Sequence, residues 1–310
     1  MPTRQGSFKI FTLFGIGVYV HYLWLVMAVV SWQWRTHAYS SPVWNVAEYL
    51  SLFLIVLIHE FGHQLACRSV GGQTHDIVLW FLGGVAYVTP PERPGAQLWS
   101  IAAGPLVNVV LIPIFALLVS ISSHLEWYDT HLDAYNLLHN VFWINIGLLI
   151  FNMVPVYPLD GGQILRSLLW FPFGRVNSLF IASIVGFIGL AGLVVLIALA
   201  VFAGDDLANA GWLALIAFFI ATNCWRGLKQ ALALARFAKV PRRAGLACPS
   251  CKMAPPLGEF WRCGKCGKPF DLFQTMGVCP HCGTQYGASQ CLDCGTSSPV
   301  SAWAGDLAKL

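Results

Sequence analysis

The sequence predicts a polytopic α-helical membrane protein, with about six transmembrane helices and a short membrane-associated β-hairpin, followed by a small cysteine-rich module. Three observations carry this. The 310 residues are 57% hydrophobic and only 10% charged, with a mean hydropathy of +0.65, too apolar for an ordinary soluble domain. The apolar residues fall in long runs separated by short polar segments. Eight of the ten cysteines lie after residue 247, in four C-x-x-C pairs.

Taken in order, residues 8–21 read as an amphipathic, glycine-punctuated stretch entering the membrane. The first helix covers about 22–34, or starts near Gly15 to reach the ~20 residues a span requires. No removable signal peptide is read at the N-terminus, so this first helix serves as the targeting signal. The second helix covers about 43–67. Residues 74–89 are rich in β-branched and aromatic residues, are interrupted by Gly83-Gly84, and read as a hairpin. The third helix covers about 98–120 and the fourth about 137–153, ending at Pro155 and Pro158. A short helix follows Asp160, and the fifth and sixth spans cover about 179–202 and 210–224. Residues 225–243 are basic with interleaved apolar positions. They read either as a helix lying at the cytoplasmic headgroups or as an extension of the sixth helix.

Six spans put both termini on one side, and the positive-inside rule says which. With cytoplasmic termini, the inner segments hold Arg4, Lys9, Arg68, Arg93, Arg166, Arg175 and Arg226. The outer loops hold Arg35 as their one Lys or Arg, with Glu126, Asp129, Asp133, Asp205 and Asp206. This predicts an integral protein of the cell (inner) membrane. The second and fourth helices then both run outside to inside, so His59, His63 and Asp160 arrive at similar depth.

His59-Glu60-Phe61-Gly62-His63, an H-E-x-x-H motif, closes the apolar run of the second helix. Residues four apart on a helix differ by roughly 40° in azimuth, so both imidazoles face one side. That pair can hold one zinc ion, with Glu60 placed to act as a general base. Ionisable residues at membrane depth are costly and usually functional. Catalytic zinc takes three protein ligands, and Asp160 is the best remaining candidate. The neighbouring prolines deny the chain a regular helix there, Gly161 and Gly162 allow close approach of another backbone, and a metal would neutralise the carboxylate.

Four stretches, His59–His63, Phe81–Ala86, Ala103–Asn108 and Asn152–Leu165, resemble the site-2 protease family of intramembrane zinc metalloproteases. The resemblance covers about residues 10–235. It implies that His59, His63 and Asp160 bind zinc, that Glu60 is general base and acid, and that the substrate is a transmembrane protein cut in or near the bilayer. It also implies substrate contacts at Asn108, Asn152 and the Gly83-Gly84 hairpin, the last by pairing with an extended peptide. No loop is long enough for an inserted PDZ domain. The alternative from another class is a catalytically inactive membrane scaffold that recruits partners through its cysteine module. The intact Glu60 argues against it.

The cysteine pairs are Cys248/Cys251, Cys263/Cys266, Cys279/Cys282 and Cys291/Cys294, three of them followed by glycine. Four such knuckles make two tetrahedral sites of four thiolates each, a small zinc-stabilised ribbon module. The cofactor expectation is thus one catalytic and two structural zinc ions. Shortest loops favour pairing the first knuckle with the second and the third with the fourth; interleaved pairing is the alternative. The reducing cytoplasm argues against disulfides. The basic charge of the first ribbon is too weak to indicate nucleic acid, which leaves a protein regulator as the expected partner there. The expected domains are a protease domain over 1–243, a ribbon over 244–298 and a tail over 299–310. Cys67 and Cys224 read as structural. His21, His75 and His139 read as ordinary, His281 as exposed, and His37, His124 and His131 as solvated.

Overall fold

A computed structural model describes residues 6–34, 38–80, 83–157, 159–202 and 207–309. Arg4, Arg35, His37, Phe81, Leu82, Pro158, Asp205 and Asp206, which entered the reading above, lie outside the described residues. The chain forms two compact units, residues 1–231 and 232–310. The boundary falls within the last long helix rather than at 243.

The first unit opens with strands β1 (Ser7–Leu13) and β2 (Ile16–His21) and helix α1 (Tyr22–Trp34). Helix α2 (Pro42–Ser69) follows, then strands β3 (Gln73–Trp80) and β4 (Gly83–Thr89). Helices α3 (Pro94–His124), α4 (Trp127–Thr130), α5 (Leu132–Met153) and α6 (Asp160–Phe202) follow, and α7 (Leu207–Ala238) belongs to this unit as far as Ala231. Proline stands at the first turn of both α2 and α3, where its missing N–H costs nothing.

Four helical segments among the described residues are long and apolar enough to cross a membrane: α2, α3, α5 and residues Asp160–Leu199 of α6. α1, at 13 residues, begins at Tyr22 and not near Gly15. The short helix after Asp160 and the expected fifth span both lie within α6, as two helices separated at Gly174, whose φ of 74° and ψ of 173° are not helical. The basic stretch after residue 225 continues α7 as far as Ala238, so the headgroup alternative gives way to extension of the sixth helix.

The N-terminal stretch is a correction. Residues 7–21 form two antiparallel strands, turning at Phe14 and Gly15, both with positive φ, as a tight hairpin requires. Every residue of β2 except Tyr19 is buried, whereas β1 is mostly exposed. Both strands alternate in sequence, Ser7-Phe8-Lys9-Ile10 in β1 up to the register shift between Lys9 and Phe11 and Ile16, Val18 and Val20 against Gly17, Tyr19 and His21 in β2. Each has only six or seven residues, however, and together they run into an apolar helix, so the stretch reads as one amphipathic segment. β2 pairs in parallel with β3, and β3 antiparallel with β4. The expected hairpin is thus half of a four-stranded sheet ordered β1-β2-β3-β4. Ile16, Val18, Val20, Ile77 and Leu79 of the sheet pack on Val56, Leu57 and Phe61 of α2. This locks β3 and β4 beside the H-E-x-x-H turn.

The second unit carries two small antiparallel ladders, β5 (Trp261–Arg262) with β6 (Pro269–Phe270) and β7 (Ala288–Gln290) with β8 (Ser297–Pro299). A 3-10 helix spans Val300–Lys309. Its core gathers Cys248, Cys263, Cys279 and Cys291 with Phe270, Phe273 and Trp303. Trp303, from the segment read as a tail, is 1% exposed and packs 4.7 Å from Phe273.

Candidate metal centre

α2 presents His59, Glu60 and His63, all buried. α3 lies against it so closely that a methyl group on Gly62 would stand 2.8 Å from the Ala103 carbonyl oxygen. Asp160 opens α6, and the backbone of residues 153–157 folds against Gly161 and Gly162, where side chains would collide. The result places His59 Nε2 3.0 Å and His63 Nε2 3.4 Å from Asp160 Oδ2. The two Nε2 atoms are 3.1 Å apart.

The other ring nitrogens show what this cluster fits. His63 Nδ1 stands 2.9 Å from the Ser100 carbonyl oxygen, which can only accept. His59 Nδ1 stands 2.6 Å from Asn108 Oδ1. Both imidazoles therefore carry their proton on Nδ1, and both Nε2 lone pairs point at the Asp160 carboxylate. Three acceptors at such distances repel one another unless a cation lies among them. Two imidazole nitrogens and one carboxylate oxygen, oriented by outer hydrogen bonds, are a donor set that suits catalytic zinc.

Glycine keeps the locus open. A methyl group on Gly104 would stand 2.7 Å from His59 Nε2 and closer still to His63 Nε2. Ser100, Gly104 and Asn108 recur every four residues and form one stripe of α3. Each serves the centre: a carbonyl acceptor, an absent side chain and an amide acceptor. Sequence reasoning did not assign Ser100 or Gly104 a role, although the fourfold spacing was visible. Asn145 was missed as well; it is fully buried and hydrogen-bonded to Asn108. It stands seven residues before Asn152, on the same face of α5.

Glu60 faces β4. The Ala86 backbone N–H donates to its carboxylate, and a methyl group on Gly84 would stand 2.5 Å from its Oε1. Gln64, one turn on, sends its Nε2 toward the carbonyls of Asp76 and Tyr87, beside the register shift between Thr74 and Ile77. A cavity of about 340 Å³ joins the centre to Gly83, Gly84, Asn108 and Asn152, with Trp80 and Phe219 among its apolar walls. All the site residues read for the membrane unit thus share one space. His75 and His139 are exposed and His21 stacks on Tyr22; none joins the cluster.

Cys224 donates to the Tyr157 carbonyl 3.1 Å away, bracing the loop before Asp160. Cys67 lies against Gly72. Both are buried and free.

In the second unit all eight cysteines are free thiols, gathered in two groups of four. The pairing corrects the expectation. Cys248 and Cys251 join Cys291 and Cys294, and Cys263 and Cys266 join Cys279 and Cys282, so one site nests inside the other. Sulfur separations of 3.7, 3.7, 3.5 and 3.8 Å match the roughly 3.8 Å edge of a tetrahedron with 2.3 Å Zn–S bonds and exclude disulfides. Closure entropy grows so slowly with loop length that the shorter loops of sequential pairing gain only about 1 kcal/mol. Arg242 grips Asp293, between Cys291 and Cys294, through two bonds of 2.7 and 3.0 Å. The Tyr286 hydroxyl donates to Cys263 Sγ at 3.1 Å and is the chief cause that draws that thiol down to about 5. His281 is exposed.

The sequence model of peptidase family M50 matches residues 47–130 and 127–196, the span holding every residue of the membrane centre. A zinc metalloprotease of Methanocaldococcus jannaschii is 32% identical over 58% of this chain and 50% of its own length. Stage IV sporulation protein FB of Bacillus subtilis is 27% identical over 56% of each. The chain spans about half the length of the curated relatives it matches. Among solved structures, a site-2 protease from Methanocaldococcus jannaschii superposes with a TM-score of 0.52 at 25% identity, over 72% of this chain and 95% of that one.

Proposed function

From the match of residues 47–196 to the model of peptidase family M50 we propose that the chain belongs to that family and is an intramembrane zinc metalloendopeptidase. It hydrolyses peptide bonds in or near the transmembrane segments of membrane-bound substrates, in the manner of regulated intramembrane proteolysis. The observation that carries this reading is the convergence of His59, His63 and Asp160 beside Glu60, in a cavity bordered by the edge strand β4.

His59, His63 and Asp160 would hold the ion, which when bound supplies Lewis acidity, acidifying a water and polarising the scissile carbonyl. Glu60 takes a proton from the attacking water and delivers it to the leaving amine. A substrate helix must unwind before its carbonyls can be attacked, because helical hydrogen bonds otherwise occupy them. β4 receives the unwound segment. It is the edge of the sheet among the described residues, a position at which an extended peptide can add a strand, although the Ala86 N–H is already given to Glu60 and the Tyr87 carbonyl to Gln64. Gly83 and Gly84 let a peptide approach closely, and Asn152 offers an amide to the substrate carbonyl. Asn108 serves by orienting His59.

In this reading α1 and α7 complete six spans, with both termini cytoplasmic in the cell membrane. The nested cysteine groups hold two structural zinc ions, and a protein regulator docks on the ribbon. The test uses the full chain, its Glu60→Gln form and its His59→Ala form. The parent and Glu60→Gln should carry about three zinc ions and His59→Ala about two, by ligand count. In cells, single-span membrane proteins should be cut by the parent and left whole with Glu60→Gln. Cleavage that survives Glu60→Gln would sink the mechanism. A folded parent with no His59-dependent zinc would sink the metal centre.

A further inference from the structure

Asn145 touches none of the metal-ligating atoms, yet it ends a chain of hydrogen bonds that begins at one of them. Its Nδ2 donates to the Asn108 backbone oxygen at 3.0 Å. Its Oδ1 accepts from Asn108 Nδ2 at 2.8 Å. Asn108 Oδ1, at the far end of that amide, meets His59 Nδ1 at 2.6 Å. Asn108 and Asn145 are both 0% exposed, so water does not compete for these bonds.

The direction of each link follows from the one that cannot be reversed. A backbone carbonyl only accepts, so the side of the Asn145 amide facing Asn108 O must be its NH2. Its oxygen then faces Asn108, which obliges Asn108 to turn its own NH2 that way. The Asn108 oxygen is left toward His59, and Nδ1 must carry the proton. Were Asn108 reversed, its NH2 would meet Nδ1, and the ring proton would sit on Nε2. There it would point at His63 Nε2 and Asp160 Oδ2, 3.1 and 3.0 Å away, and His59 could not be a ligand.

We infer that Asn145 is a positioning residue for the metal centre, setting the tautomer of His59 by fixing the orientation of the Asn108 amide. His63 needs no such relay, because its Nδ1 meets the Ser100 carbonyl directly. Both ligand imidazoles are thus polarised by backbone carbonyls of α3, one at first hand and one through two side-chain amides. The inference rests on the zinc reading of the preceding subsection and deepens it.

The experiment is a double-mutant cycle on the full-length protein: parent, Asn108→Ala, Asn145→Ala and the double variant, with Asn145→Leu as a bulkier apolar replacement that keeps the site filled. The first readout is the chelator concentration that strips the one zinc ion His59→Ala removes. Losing a hydrogen-bond partner of a ligand costs roughly 10–100-fold in metal affinity. Asn108→Ala should fall in that range, Asn145→Ala and Asn145→Leu near the lower end. The double variant should bind no more weakly than Asn108→Ala alone, because the relay acts through one amide. The second readout is the 1H–15N signal of the His59 Nδ1–H group in zinc-loaded protein. It should be shifted downfield by its bond to Asn108 in the parent and should move in the Asn145 variants, a change that loss of packing alone would not produce. Independent, additive effects of the two asparagines, or an unmoved His59 signal, would overturn the relay. A parent lacking His59-dependent zinc would instead overturn the metalloprotease reading on which it stands.

Discussion

Replacing Gly104 with alanine is ordinarily a stabilising change in a helix interior, by roughly 0.5–1 kcal/mol, because alanine loses less freedom on folding. α3 holds Gly104 in its middle, so propensity alone predicts a sturdier protein. The geometry predicts a different outcome. The added methyl would stand 2.7 Å from His59 Nε2 and nearer still to His63 Nε2, where ordinary contacts need about 3.5 Å or more. At least one imidazole must then retreat by about 1 Å. Zn–N bonds of about 2.0–2.1 Å cannot absorb such a shift, so the cost exceeds the roughly 10–100-fold of losing an outer partner. The measurement is zinc per chain of purified full-length Gly104→Ala, with Gly147→Ala beside it. Gly147 lies in α5 with nothing within 4 Å of its would-be methyl, so that variant should keep every ion. Gly104→Ala should hold about one ion fewer than the parent, by ligand count, with its helix content intact. A Gly104→Ala protein that retains the His59-dependent ion would refute the steric reasoning and the placement of α3 against α2.

Three further outcomes follow from the same geometry. Gly84→Ala should leave zinc content unchanged and lower cleavage at least tenfold, because its methyl would stand 2.5 Å from Glu60 Oε1; unchanged turnover would detach β4 from the reaction. Cys248→Ser combined with Cys294→Ser should lose one zinc ion, whereas Cys248→Ser combined with Cys263→Ser should lose two, since the nested groups assign the first pair to one site and the second to both; equal losses would contradict nesting. Tyr286→Phe removes the hydroxyl that draws the Cys263 thiol below its ordinary value of 9 to about 5. Protons compete with metal for the thiolate, so acid should release the inner zinc at a higher pH in this variant; an unshifted release pH would show that Tyr286 does not tune the site.

The chemistry-bearing residues were legible because their types and spacing are rare together. Two histidines four apart flanking a glutamate, and an aspartate behind prolines at membrane depth, have few other uses. The carbonyls and amides that orient them were harder to see. Asn145 looks like any polar residue in a span until Asn108 is found opposite it, and the contribution of Ser100 is a backbone oxygen, which no side-chain pattern encodes. β2 escaped notice because its six residues run straight into α1, so a short alternation was absorbed into the apolar stretch that follows. The cysteine knuckles were plain, but their partners were not. Loop-closure entropy separates the pairings by only about 1 kcal/mol, less than the packing of one buried tryptophan.

Nesting also gives the ribbon unit a history. A ribosome delivers Cys263 and Cys266 while Cys248 and Cys251 are still alone, so the first four thiols to coexist belong to different final sites. At about 5–20 residues per second, the rightful partners of Cys248, at Cys291 and Cys294, follow on the order of seconds later. A metal ion captured early can therefore be held by the wrong quartet and must be surrendered before the mature arrangement closes. The third knuckle, Cys279 and Cys282, releases the first by completing the inner site, and the last then completes the outer one.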